Sequence, residues 1–335
     1  MKTFILKNKG KNELRFALVC RTFYKHENRL VETLLKTYEM FVNPKMFPLT
    51  IVLDGDSPKD KEMGDRLLSL YKKTLGINVL YEYLPENFTI PNDLSSPRRQ
   101  KHAGYNQQQW STFYMDRYFS EDVDIIGVLD SDSVFFAYLT LETFINSEGK
   151  IQVPHNFEGF FDHGDHVALK ENSKIEIMRV DVFPMFYYRH SFSAVRNYIR
   201  NIWHVNTFDE AFVEFAPFFP FSQFNILYKA SIKLEPEHYE FIPYNSTKSH
   251  KISVAAQITY NRRVDYKSGC CLIHGLNCNY KSQEHKLDIL LYHRLQPRWA
   301  SNVTLAENYY NNTKNIIRNL DPGIRQQMRA ACKRL

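Results

Sequence analysis

Two aspartates one residue apart, Asp130 and Asp132, flank Ser131 at the end of a mostly apolar run, Val123 to Leu129. In extended chain, residues i and i+2 point the same way, so two carboxylates would stand side by side at a strand end. Like charges held that close repel, and a divalent cation with a preference for oxygen relieves the repulsion. A nucleoside diphosphate would complete the coordination sphere. The bland alternative is a solvated turn that caps the strand.

Other polar groups invite weaker readings. Asp54-Gly55-Asp56 is a site or an ordinary turn. Arg98, Arg99 and Lys101 form a basic cluster that would offset diphosphate charge, or a solvated loop. Asp209-Glu210 opens a helix, where a carboxylate is favoured by the backbone dipole and capping alone explains one of the pair. His163-Gly164-Asp165-His166 reads as a polar loop able to hold a metal. Cys271, His274 and Cys278, with Cys270 adjacent, have a zinc-compatible spacing but no second C-x-x-C to pair with.

These groups need elements to position them. Phe16 to Cys20 is a short apolar run ending at Arg21-Thr22, and Leu49 to Leu53 is another, ending at Asp54. Helical spacing of Leu30, Leu34, Leu35, Tyr38 and Phe41 fills the interval between them. A second helix over Lys59 to Thr74 leads to a strand over Asn78 to Tyr81. Strand, helix, strand, helix, strand predicts a parallel sheet with right-handed crossovers. Leu84 to Lys101, with three prolines, reads as a loop across the sheet; Gly104 to Tyr118 is helical, and the run to Leu129 re-enters the sheet. Ligands of open α/β sheets bind beyond the carboxyl ends of the strands, where Asp130 to Asp132 fall. The second half is less regular: helices over Ser191 to Trp203 and Phe208 to Phe215, then a basic helical stretch over 286–335.

The chain has 335 residues, 44% hydrophobic and 24% charged, which excludes disorder, collagen-like repeats and disulfide miniproteins. Its net charge of +6 is weaker than a dedicated nucleic-acid binder requires, so no nucleic-acid partner is expected. No run approaches a membrane span, so no transmembrane segment is expected; peripheral membrane contact through the basic tail, Arg325 to Arg334, is the one membrane reading. Five cysteines, without a recognisable leader, read as reduced thiols in a cytoplasmic protein. The sequons at Asn87, Asn245, Asn302 and Asn311 then stay silent.

The run Gly104-Tyr105-Asn106-Gln107-Gln108-Gln109-Trp110, leading into Ile126 to Phe135, resembles "G-W-x-x-Q-Q-x-x-K … L-D-x-D-x-V-F". That run belongs to GT-A-type glycosyltransferases, in particular bacterial and viral members acting on capsules or surface glycans. Thr112 stands near the family lysine. Phe221 to Tyr228 is similar to the "F-S-E-Y-x-x-Y" element of the acceptor half, with Gln223 in place of the acidic residue.

The resemblance implies an α/β fold: a Rossmann-like, mostly parallel sheet with helices on both faces, plus an irregular acceptor half. It implies a catalytic domain over 1–285, with a nucleotide-sugar half (14–135) and an acceptor half (136–285), followed by the extension 286–335. It implies Mn²⁺ or Mg²⁺ on Asp130 and Asp132, with His274 as a third ligand. It implies a UDP- or GDP-linked sugar donor beside Arg21, Thr22, Asp54, Arg98, Lys101, Tyr105, Gln108 and Ser131. The acceptor would be a glycan or glycoconjugate hydroxyl, and in inverting members Asp209 or Glu210 would take its proton. His163 to His166 would then contact sugar hydroxyls, and aromatic residues such as Phe183, Phe186, Tyr187, Tyr188, Phe218, Phe219 and Phe221 would stack on sugar rings where they are not core. A sugar-phosphate nucleotidyltransferase is the rival enzyme; it wants a Gly-rich basic loop after the first strand, and Arg21-Thr22-Phe23-Tyr24 is not one. The rival from another class is a non-catalytic nucleic-acid or membrane-surface binder using the tail.

Overall fold

The computed structural model describes residues 14–86, 88–91, 103–135, 139–141, 144–155, 163–171, 183–217, 221–243 and 255–257. Arg98, Lys101, His274, the cysteine cluster and the extension 286–335 lie outside them.

Strand β1 (Phe16–Arg21) is buried along its whole length, as expected of a central parallel strand covered on both faces. Three helical pieces run on from one another, Glu27–Arg29, the π-helical Leu30–Leu35 and Lys36–Phe41, and together make α1. Then come β2 (Leu49–Asp54), α2 (Pro58–Leu75) and β3 (Asn78–Glu82). The start of α2 is set locally: the Ser57 hydroxyl accepts from the Asp60 amide and Pro58 takes the first turn. Gly76, at φ 64°, closes it in the left-handed conformation. Helix α3 (Ala103–Thr112) precedes β4 (Ile125–Leu129) and the short β5 (Ser133–Phe135).

The second half supplies β6 (Ile151–His155), α4 (His163–Ala168), β7 (Met185–Tyr188), α5 (Arg189–Trp203), α6 (Phe208–Phe215) and α7 (Gln223–Leu234). It closes with β8 (Tyr239–Pro243) and β9 (Ala255–Gln257). The stretch His163 to His166, expected as a loop, is therefore the first turn of α4.

The main sheet has the order β3-β2-β1-β4-β7. Its first four strands are parallel, with Cys20 opposite both Ile51 and Leu129, and β7 runs antiparallel at one edge. This is the mostly parallel α/β sheet expected of the GT-A type. Helices lie on both faces: α2 packs under Val79 and Tyr81 of β3, and the 3-10 turn Met115–Tyr118 meets Glu82 on the other. Gly127 in β4 has to be glycine, because a Cβ there would lie 2.6 Å from the Phe186 ring and 2.7 Å from Leu18. The minor pairs are β5 with β9, antiparallel, and β6 with β8, parallel.

The chain moves outward from β1 to β2 to β3 and then returns to the opposite side of β1 for β4. The order therefore reverses between β1 and β4. A crevice opens beyond the carboxyl ends of those two strands, where α/β sheets take their ligands.

Candidate active site at the carboxyl edge

Arg21 and Thr22 lie at the β1 side of that crevice and Asp130 at the β4 side. The segment Asp130 to Ser133 is a tight turn, closed by the Ser133 amide donating to the Asp130 carbonyl at 3.0 Å. The expected extended pairing of Asp130 and Asp132 is thus corrected: turn geometry positions the two carboxylates, not strand alternation. Asp130 is half-buried and its Oδ1 lies 3.4 Å from the Gln108 side-chain amide. Asp132 is only 5% exposed, with the Arg29 Nη1 at 3.7 Å from its Oδ2. Both carboxylates act on Cys20, whose thiol is pushed well up by burial first and then by Asp130 and Asp132.

A polar stripe on α1 and the turn before it holds this segment in place. The spacing is His26, Arg29, Thr33, Thr37, steps of three and four that share one helix face. His26 Nδ1 is 3.3 Å from the Ser131 hydroxyl. The Thr33 hydroxyl reaches the Ser131 carbonyl at 3.3 Å, and the Phe135 amide donates to the Thr37 hydroxyl at 3.1 Å. Burial, and then the Arg29 guanidinium, lower the His26 imidazole to about 4, so it stays neutral near pH 7. The sequence reading missed this stripe because polar residues on an amphipathic helix are ordinarily its solvent face. The available signal was compositional: two threonines and an arginine in line, where a solvent face usually carries Glu and Lys.

On the other side of β1, Arg21 reaches over to Glu82 at the end of β3, Nε to Oε2 at 3.5 Å, with both side chains buried. The Tyr118 hydroxyl donates to the other Glu82 oxygen, and burial followed by the Glu82 charge raises the phenol far above its usual value. Glu82 and Tyr118 were not singled out from sequence. The Thr22 hydroxyl is buried without a hydrogen-bond partner among the described residues, and its backbone amide is tied to the Val52 carbonyl. Asp54 Oδ1 accepts from the Asp56 amide at 2.9 Å, and the Gly55 amide donates to the Glu82 carbonyl, so a turn accounts for part of this segment.

Tyr105 and Gln108 lie on α3, half-buried, and Gln109 of the same helix ties it to the second half through the Phe221 carbonyl at 3.0 Å. Thr112 is buried, with its hydroxyl turned to the Gln108 carbonyl. Arg21, Thr22, Asp54, Ser131, Asp130 and Asp132 are thus gathered at one edge of the sheet, with Gln108 reaching into it.

Asp209 and Glu210 are not brought to the diacid. Asp209 Oδ1 accepts from the Trp110 indole at 2.7 Å and from the Tyr114 hydroxyl at 2.6 Å. Trp110 stands two residues beyond Gln108 on α3, about 200° around the helix axis, so Asp209 and Asp130 meet nearly opposite sides of it. Glu210 is exposed and closes a capping box: its carboxylate accepts from the Asn206 amide at 3.0 Å while Thr207 accepts from its own. Asp165 in α4 is fully buried, accepting from the Ser222 amide at 2.9 Å and facing Lys229 at 3.6 Å. Its carboxylate ties α4 to α7, a packing role. Of the aromatic residues named for an acceptor, Phe183, Phe186, Tyr187, Tyr188 and Phe221 are buried and belong to the core, while Phe218 and Phe219 lie outside the described residues.

Among the described residues no set of three His, Cys, Asp or Glu side chains gathers for a metal. What the edge offers is two oxygen donors in one turn. That donor set suits a hard cation such as Mg²⁺ or Mn²⁺ that takes its remaining ligands from a bound diphosphate and water, and it predicts weak binding without one.

No protein-family model matches the sequence, and no curated protein matches it. Solved structures show a partial likeness, each at a TM-score below 0.5. Core-mannan synthase A from Aspergillus fumigatus, in an Mn/GDP form, shares 11% identity over 71% of this chain and 75% of its own, at a TM-score of 0.45. A galactosyltransferase in complex with donor and acceptor sugar analogues shares 10% over 68% of this chain and 73% of its own, at 0.40. Mouse xyloside xylosyltransferase 1 shares 10% over 69% and 85%, at 0.39. Likeness at these values carries no activity across, and the fold class rests on the chain's own strand order. No described helix is long and apolar enough to cross a membrane.

Proposed function

We propose that this chain is a metal-dependent glycosyltransferase that moves a sugar from a UDP- or GDP-linked donor to a hydroxyl of a glycan or glycoconjugate. The observation that carries the reading is the Asp130-Ser131-Asp132 turn, set at the end of β4 where the strand order reverses. Asp130 and Asp132 would hold a divalent cation there, which when bound would supply Lewis-acid stabilisation of the departing diphosphate. The chain's own residues do the rest of the positioning. Gln108 orients Asp130, and His26 and Thr33 fix Ser131. The buried Thr22 hydroxyl supplies an unused polar group beside Arg21 at the end of β1.

The finer reading is an inverting transfer, which requires a carboxylate to take the acceptor's proton as its oxygen attacks the anomeric carbon. Of the expected pair Asp209 is half-buried and Glu210 exposed, and Asp209 could serve only an acceptor that reaches it from the side of α3 turned away from Asp130. Thermal shift of the full chain against UDP-, GDP- and CMP-linked sugars, with and without Mn²⁺, tests class and donor together. Stabilisation by a nucleotide sugar that requires Mn²⁺ supports the proposal. Equal stabilisation in EDTA removes the metal, and none with any donor removes the reading.

A further inference from the structure

Asp132 is buried, and a buried carboxylate without a neighbouring positive charge is costly. The structure supplies that charge from within the chain. Arg29 Nη1 stands 3.7 Å from Asp132 Oδ2, close enough for an ion pair and too far for a hydrogen bond. The contact is therefore electrostatic and loose. Arg29 is the residue from which the π-helical segment Leu30–Leu35 starts, and π turns are frequent at functional sites. The wide turn is anchored one step further on, where the Thr33 hydroxyl donates to the Arg29 carbonyl at 2.5 Å and lies 3.3 Å from the Ser131 carbonyl. The helix, the guanidinium and the turn are thus one mechanical unit.

We propose that Arg29 is an internal counter-ion for Asp132, which a divalent cation must displace and which a diphosphate draws away. This rests on the metal-dependent reading above. An arginine is charged at every relevant pH, so it competes with the cation for Asp132 whenever both are present. Its planar fork also matches a phosphate group with two parallel hydrogen bonds, which the loose contact with Asp132 does not provide. A diphosphate arriving in the crevice offers Arg29 the better partner and frees Asp132 for the metal. Metal and nucleotide then strengthen each other's binding beyond what direct metal–phosphate contact gives, and by linkage the coupling is the same in both directions.

The test is Mn²⁺ binding to the full chain by electron paramagnetic resonance, alone and with GDP or UDP. Arg29→Gln is expected to bind Mn²⁺ alone about tenfold more tightly than wild type, and to lose about tenfold of the gain that the nucleotide produces. Asp132→Asn, the control, is expected to bind no Mn²⁺ in either condition. Unchanged or weaker affinity for Mn²⁺ alone in Arg29→Gln overturns the proposal while leaving the metal reading in place. Absence of Mn²⁺ binding by wild type and variant, with and without nucleotide, overturns both. Should Arg29→Gln fail to fold, Arg29→Lys decides. Its shorter side chain loosens the contact and is expected to raise affinity for Mn²⁺ alone about threefold; no rise overturns the proposal.

Discussion

At the carboxyl edge of the sheet, charged side chains face each other at loose distances: Arg21 and Glu82 at 3.5 Å, Arg29 and Asp132 at 3.7 Å. In the second half, several polar groups are closed off by hydrogen bonds to backbone carbonyls. The Tyr187 hydroxyl donates to the Phe224 carbonyl, Tyr228 to the Phe186 carbonyl, and Tyr188 to the Gly149 carbonyl. Trp203 gives its indole to the Ala168 carbonyl. A group saturated by backbone has nothing left for a ligand, whereas an ion pair held at such a distance can trade its contact for a closer one. The second half has one loose pair of its own, Lys229 and Asp165 at 3.6 Å, but there the carboxylate also accepts from the Ser222 amide, and the pair sits within the packing of α4 on α7.

The largest expected effect falls on the edge. Asp132→Asn is expected to lower sugar transfer by about 10³-fold or more, since it removes a charge that holds the metal at the departing diphosphate. Circular dichroism should be unchanged and the Mn²⁺-dependent part of nucleotide binding lost. Full activity in that variant, or activity indifferent to EDTA, would remove the edge from the mechanism.

The scaffold side of the comparison is tested by Phe212→Ala. Phe212 is fully buried, edge-on to Phe215 at 5.3 Å and to Phe221 at 6.0 Å. Truncation is expected to cost about 3–5 kcal/mol in denaturant unfolding, with Mn²⁺-dependent nucleotide affinity of the folded fraction unchanged. A selective loss of donor affinity at wild-type stability would mean that the aromatic half touches the ligand after all.

Asp209→Asn sharpens the boundary between the two regions. The substitution keeps an acceptor for Trp110 and Tyr114 but removes its charge, so a stability loss of about 1–2 kcal/mol is expected. A framework role predicts a fall in turnover of less than about tenfold, whereas a general base would cost ~10²–10⁴-fold. The larger fall, at unchanged donor affinity and stability, would establish the proton-taking role and with it the inverting course.

Much of this architecture is legible in the chain itself. Continuous apolar runs mark β1, β2 and β4 because central parallel strands are covered on both faces. Phe208–Phe215 is found to the residue because a Thr-x-x-Glu start and an apolar stripe agree. The paired aspartates are legible as chemistry, but their turn is not, since a tight turn and an extended strand end admit the same residues. Glu82 is hidden because a carboxylate at a strand end reads as solvated until Arg21 and Tyr118 are brought to it from distant segments. The aromatic half stays open between two readings for a related reason. Phe and Tyr suit a sugar platform and a core equally, and only packing decides.

The smallest effect, and the finest division, is expected at Glu210, the neighbour of Asp209. Glu210 is exposed, and its Oε2 accepts from the Asn206 amide at 3.0 Å, while the Thr207 hydroxyl accepts from the Glu210 amide at 3.2 Å. Gln keeps the side-chain acceptor of this box and loses only the charge that favours a helix N-terminus. Glu210→Gln should therefore cost about 0.3–1 kcal/mol, less at high salt. Thr207→Ala removes the bond to the third residue of the turn outright and should cost about 0.5–2 kcal/mol, independent of salt. Neither should alter transfer per folded molecule. If Glu210→Gln slows transfer by ~10²-fold or more with the melting temperature held, Glu210 rather than Asp209 takes the acceptor's proton, and the scaffold reading fails at its most exposed residue.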